Sequence, residues 1–296
     1  MARDLSPPVL STPPPDAPAR SALALVPGLE QGGRPLAVQR LAGGSVNHVW
    51  RVDTPLGRFV LRTDAAASRR PGVDRERERC LHTLAAAADI APPVLVRTPA
   101  GDAQVTPYID ARHWQAADYA DVAQLQRLGA LLARLHAIET PAELPAFAPA
   151  ALASDYARAG NAIGASAARA ARAGQLCAAV IEAELQLQAP GGALRLVHGD
   201  PTAGNILDRQ RLWLIDWEYA QCADPLFDVA AVLAYYPGAR PYRMELLAAA
   251  GLATQARNGR LAAAIRIHTA LEWLWRHARG ESPAISAGNS ACEWAN

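Results

Sequence analysis

Short strand-like runs of apolar and polar residues dominate the first third of the chain. One run, AVQRLAG, starts at Ala37, and a longer one, HVWRVDTPLGRFVLRT, is interrupted by turn residues at 54–57. Charged helix formers and alanine at 73–88 predict a helix, and Pro92 ends it before two more strand-like runs, VLVRT and DAQVTPYI. The pattern predicts a small antiparallel sheet with one helix.

After Ile109 the apolar residues recur at helical spacing. One stripe contains Leu125, Leu128, Leu132 and Leu135. This spacing predicts a helix that packs one face on a core. Further helices are predicted at about 155–187, where glycines weaken the pattern, near PLFDVAAVLAYY and around HTALEWLWRHARG. The second half of the chain is therefore expected to be mostly α-helical.

The N-terminal segment differs in composition from the rest of the chain. Residues 6–18 read SPPVLSTPPPDAP, and proline at this density prevents both helix and sheet. We therefore expect a disordered leader at 1–22, an N-terminal lobe at 23–108, a C-terminal lobe at 109–280 and a flexible tail at 281–296.

Composition narrows the classes of partner. The 296 residues are 51% hydrophobic and 19% charged, which is enough apolar surface for a substantial core. A formal net charge of +1 provides no basic field for a nucleic acid or an anionic membrane, so neither partner is expected. The sequence shows no secretory signal and no stretch of membrane-spanning length, which predicts a cytoplasmic protein.

The most specific segment is LVHGDPTAGNILDRQRLWLIDWE, residues 196–218. An apolar strand ends at the residues His198-Gly199-Asp200, Asn205 follows, and a short hairpin leads to Asp216. Phosphoryl transfer requires a carboxylate near the attacking hydroxyl and oxygen ligands for Mg²⁺. These residues are of the right types for that chemistry.

The pattern His-x-Asp, four residues, Asn, then Ile-Asp-Trp-Glu-Tyr resembles the catalytic and metal-binding loops of the aminoglycoside phosphotransferase and choline kinase superfamily. The matching motifs cover about residues 41–280. The resemblance implies an α+β, bilobal protein-kinase-like fold with a small antiparallel β-sheet N-lobe, one helix in that lobe, and a mostly α-helical C-lobe. It also implies ATP and Mg²⁺ as cofactors.

The resemblance assigns roles to four residues of the motif. Asp200 orients the substrate hydroxyl or accepts its proton, Asn205 holds Mg²⁺, and Asp216 bridges metal and phosphates. His198 is expected to pack and hold the loop rather than transfer a proton. Downstream, Asp224 and Asp228 resemble carboxylates that brace this loop or cap the following helix.

The loop LAGGSVN lies between two predicted strands and resembles the family's nucleotide-covering loop. Its candidate nucleotide-binding residues are Gly43, Gly44, Ser45 and Asn47. Glycine allows backbone N–H groups to approach phosphates closely.

Further nucleotide contacts follow from the same resemblance. Arg62 in FVLRT stands where kinases carry a phosphate-binding lysine or arginine, and its planar fork can also bind a helix glutamate. Glu78 is preferred as that partner by spacing, although the order of Glu76 and Glu78 remains open. Tyr108 and Ile109 lie in the connection whose backbone hydrogen-bonds adenine in this family.

Aromatic and acidic residues in the second half suggest the acceptor. The candidate substrate residues are Glu218, Tyr219, Glu272, Trp273 and Trp275. Aromatic faces beside a carboxylate suit a compact organic cation. Core tryptophans would give a similar local pattern.

The segments LIDWEYA and ALEWLWRHARG resemble those of bacterial thiamine kinases, with choline and ethanolamine kinases close behind. Choline-kinase-like proteins tend to have two aromatics three residues apart on the last helix, whereas Glu272 stands three positions before Trp275. The resemblance therefore implies thiamine as the acceptor, with choline or ethanolamine as the alternative.

Two other functions stay open at this stage. An aminoglycoside kinase would need a broad acidic pocket, and the second half shows no dense acidic run. A non-catalytic nucleotide-binding protein is disfavoured because the set Asp200, Asn205 and Asp216 is complete. A small-molecule alcohol is the expected partner, and the protein is expected to be a monomer or a homodimer.

Overall fold

A computed structural model describes residues 18–41, 47–64, 71–187, 193–257 and 259–281. The chain forms two compact units. The first contains the described residues up to Asp64 together with Val94–Tyr108, and the second contains those of 71–93 and those from Ile109 onward.

An antiparallel sheet forms the centre of the first unit. Its strands are β1 (Ala37–Arg40), β2 (Asn47–Thr54), β3 (Gly57–Asp64), β4 (Val96–Arg97) and β5 (Ala103–Pro107). They lie in the order β1-β2-β3-β5-β4, and each neighbouring pair is antiparallel. The predicted turn at 54–57 is confirmed: Thr54 pairs with Gly57, which adopts a φ of 138°.

One face of this sheet carries the core of the first unit. The buried residues are Val26, Leu29, Trp50, Val52, Phe59, Leu61 and Val105. A short helix, α1 (Arg20–Leu23), packs Ala22 and Leu23 against this cluster. The leader was predicted to be disordered as far as residue 22, but the chain is already helical from Arg20. Packing against the cluster orders these residues, and the sequence pattern does not reveal this packing.

The second unit is mostly helical. Its helices are α2 (Arg75–Ala87), α3 (Val122–His136), α4 (Pro149–Ala162), α5 (Ala167–Leu187), α6 (Leu226–Tyr235), α7 (Arg243–Ala249) and α8 (Arg260–Ala278). Its short strands are β6 (Arg112–His113), β7 (Arg195–Val197), β8 (Ile206–Arg209), β9 (Arg211–Leu214) and β10 (Gln221–Ala223). β6 pairs with β8 and β8 with β9, while β7 pairs with β10, all antiparallel.

Local sequence signals explain where these helices begin. The carboxylate of Asp74 accepts hydrogen bonds from the N–H groups of Glu76 and Arg77, and Asp121 caps α3 in the same way. The leucine stripe of α3 is buried as predicted. The predicted stretch at 155–187 is two helices, α4 and α5, which are separated by a turn where Gly164 has a φ of 89°.

Helix α2 belongs to the second unit, although the sequence analysis counted 73–88 with the N-terminal lobe. Its residues Leu81 and Ala85 lie in the core of the second unit. Arg77 also donates a hydrogen bond from Nε to the carbonyl of Ala220, at 3.1 Å. These contacts join residues far apart in the sequence, so local pattern could not reveal them.

The antiparallel sheet of the first unit and the helices of the second unit confirm the predicted α+β class. The described helices include none that is both long enough and apolar enough to cross a membrane.

Close packing of α3 on α7 predicts different effects for two glycine-to-alanine changes. A Cβ at Gly129 would lie 2.6 Å from the Cβ of Ala249 and 2.9 Å from the carbonyl oxygen of Leu246. We expect Gly129→Ala to lower the free energy of unfolding by about 1–3 kcal/mol. Urea denaturation followed by circular dichroism measures this.

Gly174→Ala is the matched control because its Cβ would meet no atom within 4 Å. Alanine has the higher helix propensity, so this variant should gain about 0.5–1 kcal/mol. Equal effects of the two substitutions would contradict the packing of α3 on α7.

Candidate active site

The loop after β7 is shaped by a glycine. Gly199 has a φ of 81°, and a Cβ there would lie 2.4 Å from the carbonyl oxygen of Tyr219. Only glycine fits this backbone conformation and this close approach. The next residue, Asp200, projects from the turn.

The buried carboxylate of Asp228 on α6 holds the same loop. It accepts hydrogen bonds from the backbone N–H of His198 at 3.1 Å and of Gly199 at 2.8 Å, and Nε2 of His136 donates to it at 2.9 Å. Burial alone would raise the pKa of Asp228, but the hydrogen bond and charge of His136, with the backbone donor, lower it below its ordinary value. Asp228 is therefore ionised and braces the loop, as the sequence predicted.

Asp224 has the other predicted structural role, which is to cap the following helix. Its Oδ1 accepts a hydrogen bond from the N–H of Leu226 at 2.9 Å, at the start of α6, and its other oxygen pairs with Arg260.

His198 links the loop to the next hairpin. It is fully buried, and desolvation lowers its pKa. Its Nε2 donates to the carbonyl of Ile215 at 3.0 Å, which leaves Nδ1 to accept the N–H of Asp200 at 3.3 Å. Both ring nitrogens bind backbone, so the prediction of a scaffold role is confirmed.

The predicted catalytic and metal residues come together around this hairpin. Nδ2 of Asn205 donates to Oδ2 of Asp200 at 2.8 Å and to its carbonyl at 3.0 Å. The N–H of Ile215 donates to the carbonyl of Asn205 at 3.0 Å, which places Asp216 beside them. Asp216 has a φ of 63°, a conformation that is costly for a residue with a side chain and that is frequent at functional sites.

Burial and the charges of neighbouring acidic groups act on Asp200. Burial raises the pKa of Asp200 to about 7, and the charges of Asp216, Glu218 and Glu272 add to the rise, while the Asn205 hydrogen bond opposes it. The charge of Asp216 makes Asp200 harder to ionise, and a divalent cation bound beside them would offset that charge.

The donor set fits Mg²⁺. The oxygens of Asn205 and Asp216 are hard ligands of the kind that this ion prefers, and it binds proteins through one or two carboxylates while keeping waters or phosphate oxygens. In the described part of the chain, no three His, Cys, Asp or Glu side chains form a metal cluster.

A cavity of about 180 Å³ opens beside Asp200. Its aromatic wall consists of Phe147, Tyr156, Tyr219, Phe227, Tyr235 and Trp275. Its polar lining includes Asp200, Gln221, His268 and Glu272. The cavity thus combines a potential proton acceptor with aromatic faces and a second carboxylate.

Three predicted substrate residues, Tyr219, Glu272 and Trp275, line this cavity. Nε1 of Trp275 donates to the hydroxyl of Tyr219 at 3.0 Å, which fixes both rings. Glu272 pairs with Arg276 at 2.6 Å, so its charge is partly compensated.

The structure places the other two predicted substrate residues elsewhere. Glu218 is buried, with a carboxylate oxygen 3.6 Å from Arg75, and is not part of the cavity lining. Trp273 stacks on His277, with ring centroids 5.3 Å apart, and points away from the lining because it lies two residues, or about 200° of helix rotation, from Trp275.

Several cavity residues were missed by the sequence analysis. His268 and Leu271 complete a stripe with Glu272 and Trp275 at helical spacing, so that periodicity could have found them. Phe147 and Tyr156 come from another part of the chain, and no local signal marks them.

Two of the predicted nucleotide-binding residues that the structure describes, Asn47 and Arg62, lie on the sheet of the first unit. Asn47 on β2 is buried and pairs with Asp64, while Arg62 is buried on β3. The N–H of Tyr108 donates to the carbonyl of Arg58 at 2.9 Å, and Ile109 follows directly. Gly43, Gly44 and Ser45 lie outside the described residues.

On α2 the two candidate glutamates differ in environment. Glu78 is 1% exposed and accepts a hydrogen bond from Arg75 at 2.6 Å. Glu76 is 75% exposed and pairs with Arg79. Pairing of Glu78 with Arg62 stays a prediction.

Comparison with known proteins gives consistent matches. A model of the phosphotransferase enzyme family matches residues 37–282. A choline/ethanolamine kinase family protein from Mesorhizobium loti is 27% identical, with a TM-score of 0.68 over 88% of this chain and 86% of that one. No curated protein matches this chain.

More distant structures share the fold. The choline kinase of Streptococcus pneumoniae is 18% identical with a TM-score of 0.69, over 85% of this chain and 88% of that one. A macrolide 2'-phosphotransferase from Brachybacterium faecium is 20% identical with a TM-score of 0.56, over 88% and 92% of the two chains.

The network around Asp228 predicts a pH-dependent loss of stability in Asp228→Asn. The amide would present donors to backbone N–H donors, so we expect the free energy of unfolding at pH 7 to fall by about 3 kcal/mol. The folded-state pKa of Asp228 is lowered, so the ionised carboxylate stabilises the protein above the unfolded-state pKa of about 3.9. The difference from wild type should therefore shrink as the pH falls below about 4.

Urea denaturation at pH 7 and at pH 3.5 measures this difference. Asp155→Asn is the control because Asp155 is an exposed partner of Arg158, and it should change stability by less than about 0.5 kcal/mol. A difference for Asp228→Asn that stays constant with pH would contradict stabilisation by an ionised Asp228 carboxylate.

Proposed function

We propose that this chain, which belongs to the phosphotransferase enzyme family, transfers the γ-phosphoryl group of ATP to the hydroxyl of a compact organic cation. Membership of this family implies that a phosphoryl group is transferred from ATP to an alcohol group. Similar structures support ATP as the nucleotide. The choline kinase LicA has been solved in complex with AMP, and an aminoglycoside phosphotransferase with AMP-PNP and hygromycin B.

The observation that carries the proposal is the cavity beside Asp200. Its aromatic faces attract an organic cation through their ring quadrupoles, and this attraction does not require the cation to stay strongly hydrated. A polycationic sugar, in contrast, needs strong hydration. Glu272 adds a carboxylate on the same wall. A cation bound there would carry its hydroxyl to the edge where Asp200 lies.

Each loop residue then has a chemical role. Asp200 orients the acceptor hydroxyl and receives its proton as the oxygen attacks the γ-phosphorus. Asn205 and Asp216 would hold Mg²⁺, which when bound neutralises charge on the phosphates. Asp228 and His198 keep these side chains in place through the backbone.

Thiamine is the acceptor that we propose first. It combines a cationic ring, a second planar ring that can stack on aromatic side chains, and a primary hydroxyl. Choline or ethanolamine is the second candidate, and the 27% identity to a choline/ethanolamine kinase family protein favours it.

A direct assay tests the proposal. Purified protein is incubated with ATP and Mg²⁺ and with thiamine, choline, ethanolamine or kanamycin in turn, and ADP release and the phosphorylated product are measured. We expect turnover with at least one of the three small cations and a loss of at least about a hundredfold in Asp200→Asn. Turnover with kanamycin alone, or full activity of Asp200→Asn, would contradict it.

The two tryptophans of α8 allow a matched prediction for acceptor binding. Trp275→Leu removes an aromatic face from the cavity, so the KM for the acceptor should rise about tenfold while the KM for ATP stays constant. Trp273→Leu changes a ring that stacks on His277 outside the lining, and it should leave the acceptor KM within about twofold. Steady-state kinetics measure both constants.

Equal increases in acceptor KM for the two variants would show that the cavity is not the acceptor site. Thermal unfolding of each variant should accompany the kinetics, because Trp273 also packs against the core.

A further inference from the structure

Two tyrosines contact residues 201–204, the segment that joins the proposed catalytic residue to the proposed metal ligand. The hydroxyl of Tyr236 accepts a hydrogen bond from the backbone N–H of Ala203 at 2.7 Å. The hydroxyl of Tyr119 donates a hydrogen bond to the carbonyl of Pro201 at 2.9 Å. None of the interactions derived above for phosphoryl transfer uses either tyrosine.

The two tyrosines are held firmly by their surroundings. Their rings stack on each other, with centroids 3.6 Å apart and 3° between the ring planes. Tyr119 is fully buried and meets the ring of Trp114 edge-on, with centroids 5.0 Å apart. Burial raises the pKa of both tyrosine hydroxyls, so both stay protonated at neutral pH. The pair therefore forms a fixed, uncharged support for the 201–204 segment.

Helix α6 holds the chain on both sides of Asp200. Asp228, in the first turn of α6, accepts the backbone N–H groups of residues 198–199, which precede Asp200. Tyr236, directly after the last residue of α6, accepts the N–H of Ala203, which follows Asp200. The eight residues from Asp228 to Tyr236 span about 12 Å along the helix. One rigid element thus fixes the two halves of the loop relative to each other.

The separation of Asp200 and Asn205 depends on the segment between them. The N–H of Thr202 donates to the carbonyl of Asp200 at 2.8 Å, and the N–H of Asn205 donates to the carbonyl of Thr202 at 2.9 Å. These bonds lie within the turn and determine its shape. The bonds to the tyrosine hydroxyls determine where the turn lies relative to α6 and the core.

We propose that Tyr236 and Tyr119 are positioning residues, whose hydroxyls hold the 201–204 segment so that Asp200 and Asn205 keep the separation that phosphoryl transfer requires. This inference rests on the proposed function and adds to it. Neither tyrosine lines the cavity, so loss of a hydroxyl should leave acceptor binding intact and slow the chemical step.

Tyr236→Phe tests the proposal because it keeps the stacked ring and removes the hydroxyl that accepts the Ala203 N–H. A misplacement of reacting groups by about 1 Å can cost about a hundredfold in rate, so we expect kcat to fall at least about tenfold. The acceptor KM should stay within about twofold of wild type. Tyr119→Phe should lower kcat in the same direction, by at least about threefold. Steady-state kinetics at saturating ATP measure both constants.

Hydrogen–deuterium exchange gives a readout that does not depend on turnover. Without its acceptor, the N–H of Ala203 should exchange at least about fivefold faster in Tyr236→Phe than in wild type. Mass spectrometry of peptides that span residues 200–205 detects this change. Peptides from α3 and α8 should exchange as in wild type. Faster exchange throughout the second unit would indicate a general loss of stability and would overturn the positioning role.

Tyr242→Phe is the matched control. Like Tyr236, Tyr242 is a partly buried tyrosine that packs on the core of the second unit. Among the described residues, however, the hydroxyls bonded to the 201–204 segment are those of Tyr119 and Tyr236. Tyr242→Phe should leave kcat and the exchange of this segment within about twofold of wild type. Equal losses in Tyr236→Phe and Tyr242→Phe would overturn the proposal.

The kinetic outcomes separate this inference from the proposed function. An unchanged kcat in Tyr236→Phe, with active wild type, would overturn the positioning role and leave the proposed function intact. A raised acceptor KM with an unchanged kcat would do the same, because it would assign Tyr236 to acceptor binding. If wild type phosphorylates none of the alcohols tested, the proposed function fails, and the positioning role fails with it.

Discussion

The buried carboxylate of Asp228 holds the backbone from which Asp200, the proposed catalytic residue, projects. It joins α6, His136 of α3 and two consecutive N–H groups of the loop after β7. An ionised carboxylate is costly to bury unless all its neighbours donate hydrogen bonds, so loop and helices must keep these positions together. From this anchor, His198 extends the support to Ile215 and hence to Asp216.

The proposed acceptor cavity depends on the same backbone. Gly199 approaches the carbonyl of Tyr219 so closely that the loop after β7 and this cavity wall are fixed relative to each other. The hydrogen bond from Trp275 to Tyr219 then ties α8 to the wall. The proposed phosphoryl transfer and the proposed acceptor binding are therefore coupled, because a shift of the loop would move Asp200 and the aromatic faces together.

Much of this arrangement could be predicted from the sequence, for physical reasons. Periodicity indicated the sheet and helices, and the spacing of Asp200, Asn205 and Asp216 placed oxygen donors in one strand-loop-hairpin unit. The rest depended on tertiary packing. Local pattern could not assign α2 to the second unit or bring Phe147 to the cavity. The helical phase of α8 could have separated Trp273 from Trp275, since their spacing places them on different faces.

The proposed function requires the cavity beside Asp200 to bind the acceptor. Fluorine NMR of protein labelled with 5-fluorotryptophan tests it, with the two resonances assigned from Trp275→Phe and Trp273→Phe. On saturation with the best acceptor, in the absence of nucleotide, we expect the Trp275 resonance to shift and the Trp273 resonance to stay in place. An unmoved Trp275 resonance with an acceptor that the enzyme phosphorylates would contradict it.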